Sequence, residues 1–338
     1  MKYILCHDVG TSGNKAVLVS LKGEIKAYAR ENYRVIYSKE GYAEQNPEDW
    51  WEAIVKTTRK IVDKPENVAG ICFSAQMSGV LPVGEEGKPL MNCLTWLDTR
   101  AAGEAERIIG NKLIRYNLIA LIRFLRITGG APGLAGKDPI SKILWIKNNE
   151  PDIYKETQKF LDVKDYLVYR CTGSFVTSMD CANLTWLMDT RKGKMCWSET
   201  LLKKYGIERE KLPEIKASTD VAGKLTREAA EELGLVEGTP VVVGAGDITS
   251  AAVGSGAVME GEIHAYIGTS AWLAAHLKKR KVDVFHYMGC LCSANPEMYL
   301  CIAEQETAGG CYEWLRNNFF PEYNFSELDE MVKKSDPG

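Results

Sequence analysis

The chain has 338 residues, enough to bury a large core and, as a prior, to form two domains. With 45% hydrophobic and 26% charged residues it lies outside the disordered class, and 42 basic against 45 acidic residues leave no broad positive field, so nucleic acid is not an expected partner. Ten cysteines in apolar contexts such as Ile4-Leu5-Cys6, with no Cys-x-x-Cys pair, predict buried free thiols, and His7, His264, His276 and His286 lack zinc-ligand spacing, so no structural metal is expected.

From Met1 the sequence runs directly into the apolar stretch Tyr3 to Val9, which reads as a strand and not as a secretory signal; a cytoplasmic protein is expected. The turn Gly10-Thr11-Ser12-Gly13 leads to Lys15-Ala16-Val17-Leu18-Val19 and a second turn at Lys22-Gly23, a hairpin whose first turn can expose backbone N–H groups. At Asn46-Pro47-Glu48-Asp49 a helix begins, with Asn46 as cap, Pro47 suited to the first position and the acids favouring the positive dipole end. Trp51, Ile54, Val55, Thr58, Ile61 and Val62 recur at helical spacing as its buried face.

Val68 to Phe73 reads as a further strand, leading into Ser74-Ala75-Gln76-Met77-Ser78-Gly79. Between Leu113 and Ile127 the apolar run is interrupted by Arg115, Arg123 and Arg126, which a bilayer would have to desolvate; an amphipathic helix is expected there, and no membrane partner. A helix from Asp138 through Leu144, Trp145 and Ile146 stops near Pro151, and the alternation of strands and helices predicts α/β layers. Thr239-Pro240 then introduces Val241-Val242-Val243, a buried strand that delivers Asp247 after Gly244-Ala245-Gly246.

Asp8-Val9-Gly10-Thr11-Ser12-Gly13 is echoed by Tyr266-Ile267-Gly268-Thr269-Ser270-Ala271, each between two strand-like runs, so two facing hairpins would form a clamp. The glycines at 254, 256 and 261 place a boundary near residues 245 to 260, dividing the chain into units 1–245 and 246–338.

A phosphate needs donors, and glycines let the backbone approach while a hydroxyl adds one more; Gly10, Thr11, Ser12 and Gly13 meet that need, with Lys15 in reach. An ordinary hairpin turn explains the same residues. Asp8 would repel a naked phosphate unless a cation such as Mg²⁺ intervened, or it simply closes its own turn. Asp247, a carboxylate at the end of a buried strand, is a candidate general base for a substrate hydroxyl, and equally a helix cap ahead of Ile248 to Ala252. A dinucleotide fingerprint fails because Thr249 stands where its third glycine would be, and the Gly10 to Lys15 spacing is not that of a P-loop. Trp145 and Trp186 are expected in the core.

Taken in order, Asp8 to Lys15, Glu44-Gln45-Asn46-Pro47-Glu48-Asp49-Trp50-Trp51, Ala75-Gln76-Met77-Ser78-Gly79, Trp96-Leu97-Asp98-Thr99-Arg100, Lys164-Asp165-Tyr166-Leu167, Gly244-Ala245-Gly246-Asp247 and Ile267-Gly268-Thr269-Ser270 resemble the FGGY carbohydrate kinases, nearest to the xylulokinase subgroup. The resemblance implies an α/β, actin/hexokinase-like (ribonuclease H-like) fold with a complete first domain and a partial second one. It also implies ATP- and Mg²⁺-dependent transfer of a phosphoryl group to a sugar hydroxyl, D-xylulose or another ketopentose first, with another ketose, a polyol or a sugar acid as alternatives. Carried over by position, Asp247 would be the base, Asp8 would serve Mg²⁺, and Gly10, Thr11, Ser12, Lys15, Gly268 and Thr269 would hold phosphates. Gln76, Met77, Ser78, Trp96, Asp98 and Asp247 would line the sugar site, although an internal Asp98–Arg100 ion pair explains that segment without a ligand.

Two departures qualify the resemblance. Ser78 stands where xylulokinases usually carry histidine, and the sequence ends at Gly338 where family members continue through a glycine-rich adenosine segment. A sugar-binding remnant without transfer, or one half of a split kinase, is therefore an alternative to a whole enzyme. A homodimer is a further partner that the family would allow.

Overall fold

The structure is a computed structural model and describes residues 2–110, 117–268, 271–283, 285–286, 288–305 and 307–336, with the backbone alone at 304 and 305. Thr269 and residues 113–116 of the expected amphipathic helix lie outside these.

Alternating burial sets the first sheet. Strands β1 (Tyr3–Val9) and β2 (Gly13–Ser20) form the expected hairpin, β3 (Ile25–Asn32) pairs with β2, and β4 (Val68–Ala75) lies parallel to β1 on its other side. Leu5, His7 and Val9 point to the covered face opposite Leu18, Ala16 and Asn14, so one register buries three residues of each strand. Beyond β4 come β5 (Val221–Lys224), β6 (Pro240–Val242) and β7 (Ala245–Gly246), completing a seven-stranded sheet in which β6 and β7 both run parallel to β4.

Helix α1 (Pro47–Ile61) covers β1 to β3 and begins where its cap predicts, with the Asn46 side chain accepting from the Glu48 N–H at 3.1 Å. Trp51, Ile54, Thr58 and Ile61 are buried as expected, joined by Trp50 and Thr57, while Val55 and Val62 are only half-buried. Helix α2 (Leu118–Thr128) occupies the described end of the arginine-interrupted run, and α3 (Pro139–Asn149) follows. Helix α4 (Val163–Thr172) and α6 (Arg227–Leu233), separated in sequence by the short α5 (Met179–Leu184), close the same core, where Trp50 meets Tyr166 edge to face.

Helix α7 (Asp247–Gly254) leads to a four-stranded antiparallel sheet of β8 (Ile263–Ile267), β9 (Ala271–Leu277), β10 (Met288–Cys292) and β11 (Tyr299–Gln305), in the order β8-β9-β11-β10. Its strand β10 packs into the core that contains Phe124, Ile127 and Trp186, and the Cys292 N–H donates to Asn183 Oδ1 at 2.8 Å. Trp186 is buried as expected and Trp145 packs partly buried against the same core. Among the described residues no helix is long and apolar enough to cross a membrane.

Candidate active site

Three parallel strands end side by side: Asp8 is opposite Ser74 and Ser74 opposite Ala245; one step on, Val9, Ala75 and Gly246 align. Gly10, Gln76 and Asp247 therefore leave the carboxyl edge of β1, β4 and β7 in one row, the position where open α/β sheets bind ligands. At about 4.8 Å per strand, β1 and β7 stand roughly 10 Å apart.

At the first strand, Asp8 pairs with Lys15 across the hairpin at 2.9 Å, with 42% of its side chain exposed. The turn closes through the Gly10 N–H to the Gly13 carbonyl at 3.1 Å, and Tyr33 donates to the Gly10 carbonyl. A side chain at Gly13 would collide with the Glu31 carbonyl and Asn32, so close approach of β3 requires glycine there. Among the described residues neither the Thr11 nor the Ser12 amide meets a protein acceptor, leaving two donors at the tip.

Thr11 is tied down by side chains from elsewhere. Its hydroxyl donates to Gln76 Oε1 at 3.2 Å and accepts from Trp96 Nε1 at 2.8 Å, while its carbonyl accepts from Gln45 Nε2. Gln76 is itself buried and donates to Gln45 Oε1 at 2.6 Å, which also accepts from Trp50 Nε1. Each end of the Gln76 amide thus makes one bond within the protein, which fixes the turn and leaves one N–H and one lone pair.

Met77 is buried against Gly246, and Ser78 stands in the left-handed region at φ 63°. That costly conformation is held from both sides. The Ser78 and Gly79 amides donate to Asp162 at 3.1 and 2.9 Å, and Lys142 Nζ donates to the Ser78 carbonyl at 2.9 Å and the Thr95 carbonyl at 2.7 Å. Burial, helped by the nearby Asp165 charge, pushes the Asp162 carboxyl up to about 7, and burial lowers the Lys142 ammonium to about 8.

Trp96 is 40% exposed on the wall of a cavity of about 900 Å³ that Trp186, Ile248 and Trp272 also line. Asp98 lies behind it, fully buried. Its carboxylate accepts from the Ala43 amide at 2.8 Å and from Arg100 Nε and Nη2, and Arg100 reaches on to Glu44. The internal ion pair is therefore present, and the Asp98 carboxylate ties the Ala43 backbone to Arg100.

Asp247 combines its two sequence readings. It follows the strand end and opens helix α7, with its own Oδ1 accepting the Ile248 N–H at 2.8 Å. The residue is reachable from the cleft yet walled by protein on its other sides, and that desolvation pushes its carboxyl up to about 6, with the charges of Asp8 and Asp180 adding to the rise. Asp180 was not visible as a functional candidate in the sequence. It is fully buried on α5, and its Oδ2 accepts from the Gly246 N–H at 2.8 Å and from the Thr249 hydroxyl, so it locks the turn that aims Asp247.

On the second hairpin β8 and β9 pair as the echo predicts, with Ile267 opposite Ala271. The Gly268 carbonyl accepts from the Gly309 N–H at 2.7 Å, and the Tyr266 ring leaves no room for a side chain at Gly268.

Residues 3–254 match the FGGY family of carbohydrate kinases, N-terminal domain. The chain is 30% identical to a xylulose kinase of Bacillus subtilis over 98% of its own length and 65% of that protein's, and 30% identical to a gluconokinase of the same organism over 94% and 60%. The ligand-bound xylulose kinase structure from Lactobacillus acidophilus superimposes with a TM-score of 0.87 at 26% identity, covering 99% of this chain and 66% of that one. The chain thus spans about two thirds of the length of these relatives, and the expected actin/hexokinase-like α/β fold, partial in its extent, is borne out.

Proposed function

Because the chain belongs to the FGGY family of carbohydrate kinases, we propose that it carries the acceptor-activating half of an ATP-dependent sugar kinase, with D-xylulose as acceptor. The observation that carries this reading is that Asp8 and Asp247 come from the carboxyl ends of two parallel strands flanking β4, with the Asp247 carboxyl raised to about 6.

In this reading a sugar hydroxyl lies against Asp247, which takes its proton as the oxygen attacks the terminal phosphoryl group. Such transfers pass through a loose transition state, so positioning and charge do most of the catalysis. The Thr11 and Ser12 amides, with Lys15, meet phosphate oxygens from one side, and Gly268 and Thr269 approach from the other. Met77, Ser78 and Trp96 contact the sugar, while Gln76 holds the phosphate turn and Asp98, paired with Arg100, holds the segment that follows Trp96. The division near residues 245–260 then separates a sugar-facing unit from one that faces the nucleotide.

ATP with a divalent cation is the cofactor class of such kinases, and we read the cation as Mg²⁺. The residues suit it: Asp8 offers one carboxylate at the rim, and among the described residues no group of three or more His, Cys, Asp or Glu forms a dedicated cage. Mg²⁺ sites of this kind take one or two carboxylates, the rest being phosphate and water oxygens. When bound, the ion supplies neutralisation of phosphoryl charge, and Lys15 would turn from Asp8 toward the phosphates.

The test pairs sugar binding by calorimetry with coupled ADP release for D-xylulose, D-gluconate and glycerol. Heat with D-xylulose from this chain, brisk turnover only in a form extended through the rest of the second domain, and in that form loss of turnover but not of heat on Asp247→Asn, is the expected result. Undiminished turnover by that variant, or no heat with any sugar, overturns the reading.

A further inference from the structure

We infer that Cys290 and Cys301 are a reactive dithiol pair, a site where a hydroperoxide closes a reversible cross-strand disulfide. The two residues are direct partners in the β10–β11 ladder. Along an antiparallel ladder, hydrogen-bonded and non-hydrogen-bonded pairs alternate. The Ser293 N–H donates to the Met298 carbonyl at 3.1 Å on the same register, so Leu291 and Leu300 form the next bonded pair and Cys290 with Cys301 falls on a non-bonded one. There the Cα atoms approach to about 4.5 Å. A disulfide requires a separation of about 4.4 to 6.8 Å.

Chemistry agrees with the placement. The thiols perturb one another in opposite directions: donation from Cys290 draws Cys301 down, aided by the Lys281 charge, while Cys290 is pushed up by that partner and by burial. Cys301 is thus the nucleophile and Cys290 the thiol that resolves, with its sulfur also accepting the Lys281 N–H at 3.2 Å. Both residues are over nine-tenths buried, but Cys290 lines the cavity of about 900 Å³, which gives a small oxidant a way in.

The neighbouring thiols are worse placed. Cys292 shares the face of Cys290 on one strand, where two residues of rise separate Cα atoms by about 6.6 Å, at the limit of the disulfide span. Cys6 and Cys72 are partners in a parallel pair, and burial raises both thiols, holding them protonated and inert.

The step balances as follows. The Cys301 thiolate attacks one peroxide oxygen, the O–O bond breaks, and the departing hydroxide takes a proton from solvent to give water. The Cys290 sulfur then attacks the sulfenic sulfur of Cys301, the S–O bond breaks, and hydroxide leaves with the Cys290 proton as a second water. Two thiols are oxidised and one peroxide is reduced.

The experiment treats the full chain with stoichiometric hydrogen peroxide, alkylates free thiols and maps peptides without reduction. A Cys290–Cys301 linked peptide that disappears with reductant is expected, and in Cys290→Ser a sulfenic acid trapped by dimedone at Cys301. A Cys6–Cys72 link, or oxidation confined to the exposed Cys196 and Cys311, overturns the inference. Neither readout involves a sugar or ATP, so the outcome is independent of the kinase reading.

Discussion

Gly246 lies against the thioether of Met77 so closely that a methyl group built on its Cα would overlap the Met77 sulfur and both flanking carbons. The strand that delivers Asp247 and the turn that carries Ser78 are therefore one packed unit, although they are far apart in sequence.

Gly246→Ala should destabilise the chain by about 1–3 kcal/mol through overpacking alone, because Gly246 has an ordinary φ of −68°. Adding Met77→Ala makes room for the methyl, so the double variant should lose less than the sum of the single losses, by about 0.5–3 kcal/mol. Urea denaturation of the four chains measures the coupling; strict additivity would mean that the contact does not exist.

The raised Asp247 carboxyl predicts a pH profile. A general base works only when ionised, so kcat/KM should fall as pH drops below about 6, with a slope of one proton, and level off above it. Asp180→Asn keeps an acceptor for the Gly246 N–H but removes a negative charge that holds the Asp247 proton. The acid limb should move to lower pH, and carbon NMR titration of Asp247 in the resting chain should follow it. An unmoved titration contradicts the electrostatic role of Asp180.

Lys142 separates stability from binding. Its ammonium is fully buried, and the drop to about 8, net of the nearby acidic charges that oppose it, corresponds to a cost of roughly 3 kcal/mol against an exposed lysine. The two hydrogen bonds it makes to the Ser78 and Thr95 carbonyls are together worth about as much. Lys142→Met should thus shift the denaturation midpoint little, while sugar affinity falls roughly tenfold, about 1.4 kcal/mol, as the Ser78 turn relaxes. Unchanged affinity by calorimetry would count against the clamp.

Arg100→Ala should be the more damaging lesion. Asp98 has no exposure, and without the guanidinium its charge remains buried with only amide donors. Breaking such a pair costs about 3–5 kcal/mol. Arg100→Lys should recover part of this but not the fork geometry, and thermal denaturation should rank wild type above lysine above alanine.

Much of the scaffold was legible because its signals are local. Apolar runs between turn residues marked β1, β2 and β4, Asn46 with Pro47 marked the start of α1, and the strand-end position of Asp247 followed from the three valines and glycines before it. The echo likewise located the β8–β9 hairpin. The residues that hold the site were not legible in the same way, since nothing beside Asp162, Lys142 or Asp180 in the sequence announces a partner.

Those partners lie 84, 64 and 66 positions away, at Ser78 for the first two and at Gly246 for the third. Sequence alone determined which strands end in carboxylates and which turns are rich in small donors, because pleat and cap preferences act between neighbours. Only the tertiary structure decided that Asp98 and Gln76 bond to other protein groups, and that Asp247, though open to solvent, has enough protein and the Asp8 and Asp180 charges around it to raise its carboxyl to about 6. Desolvation and hydrogen-bond satisfaction depend on what packs around a group, and that is set by chain segments that meet only on folding.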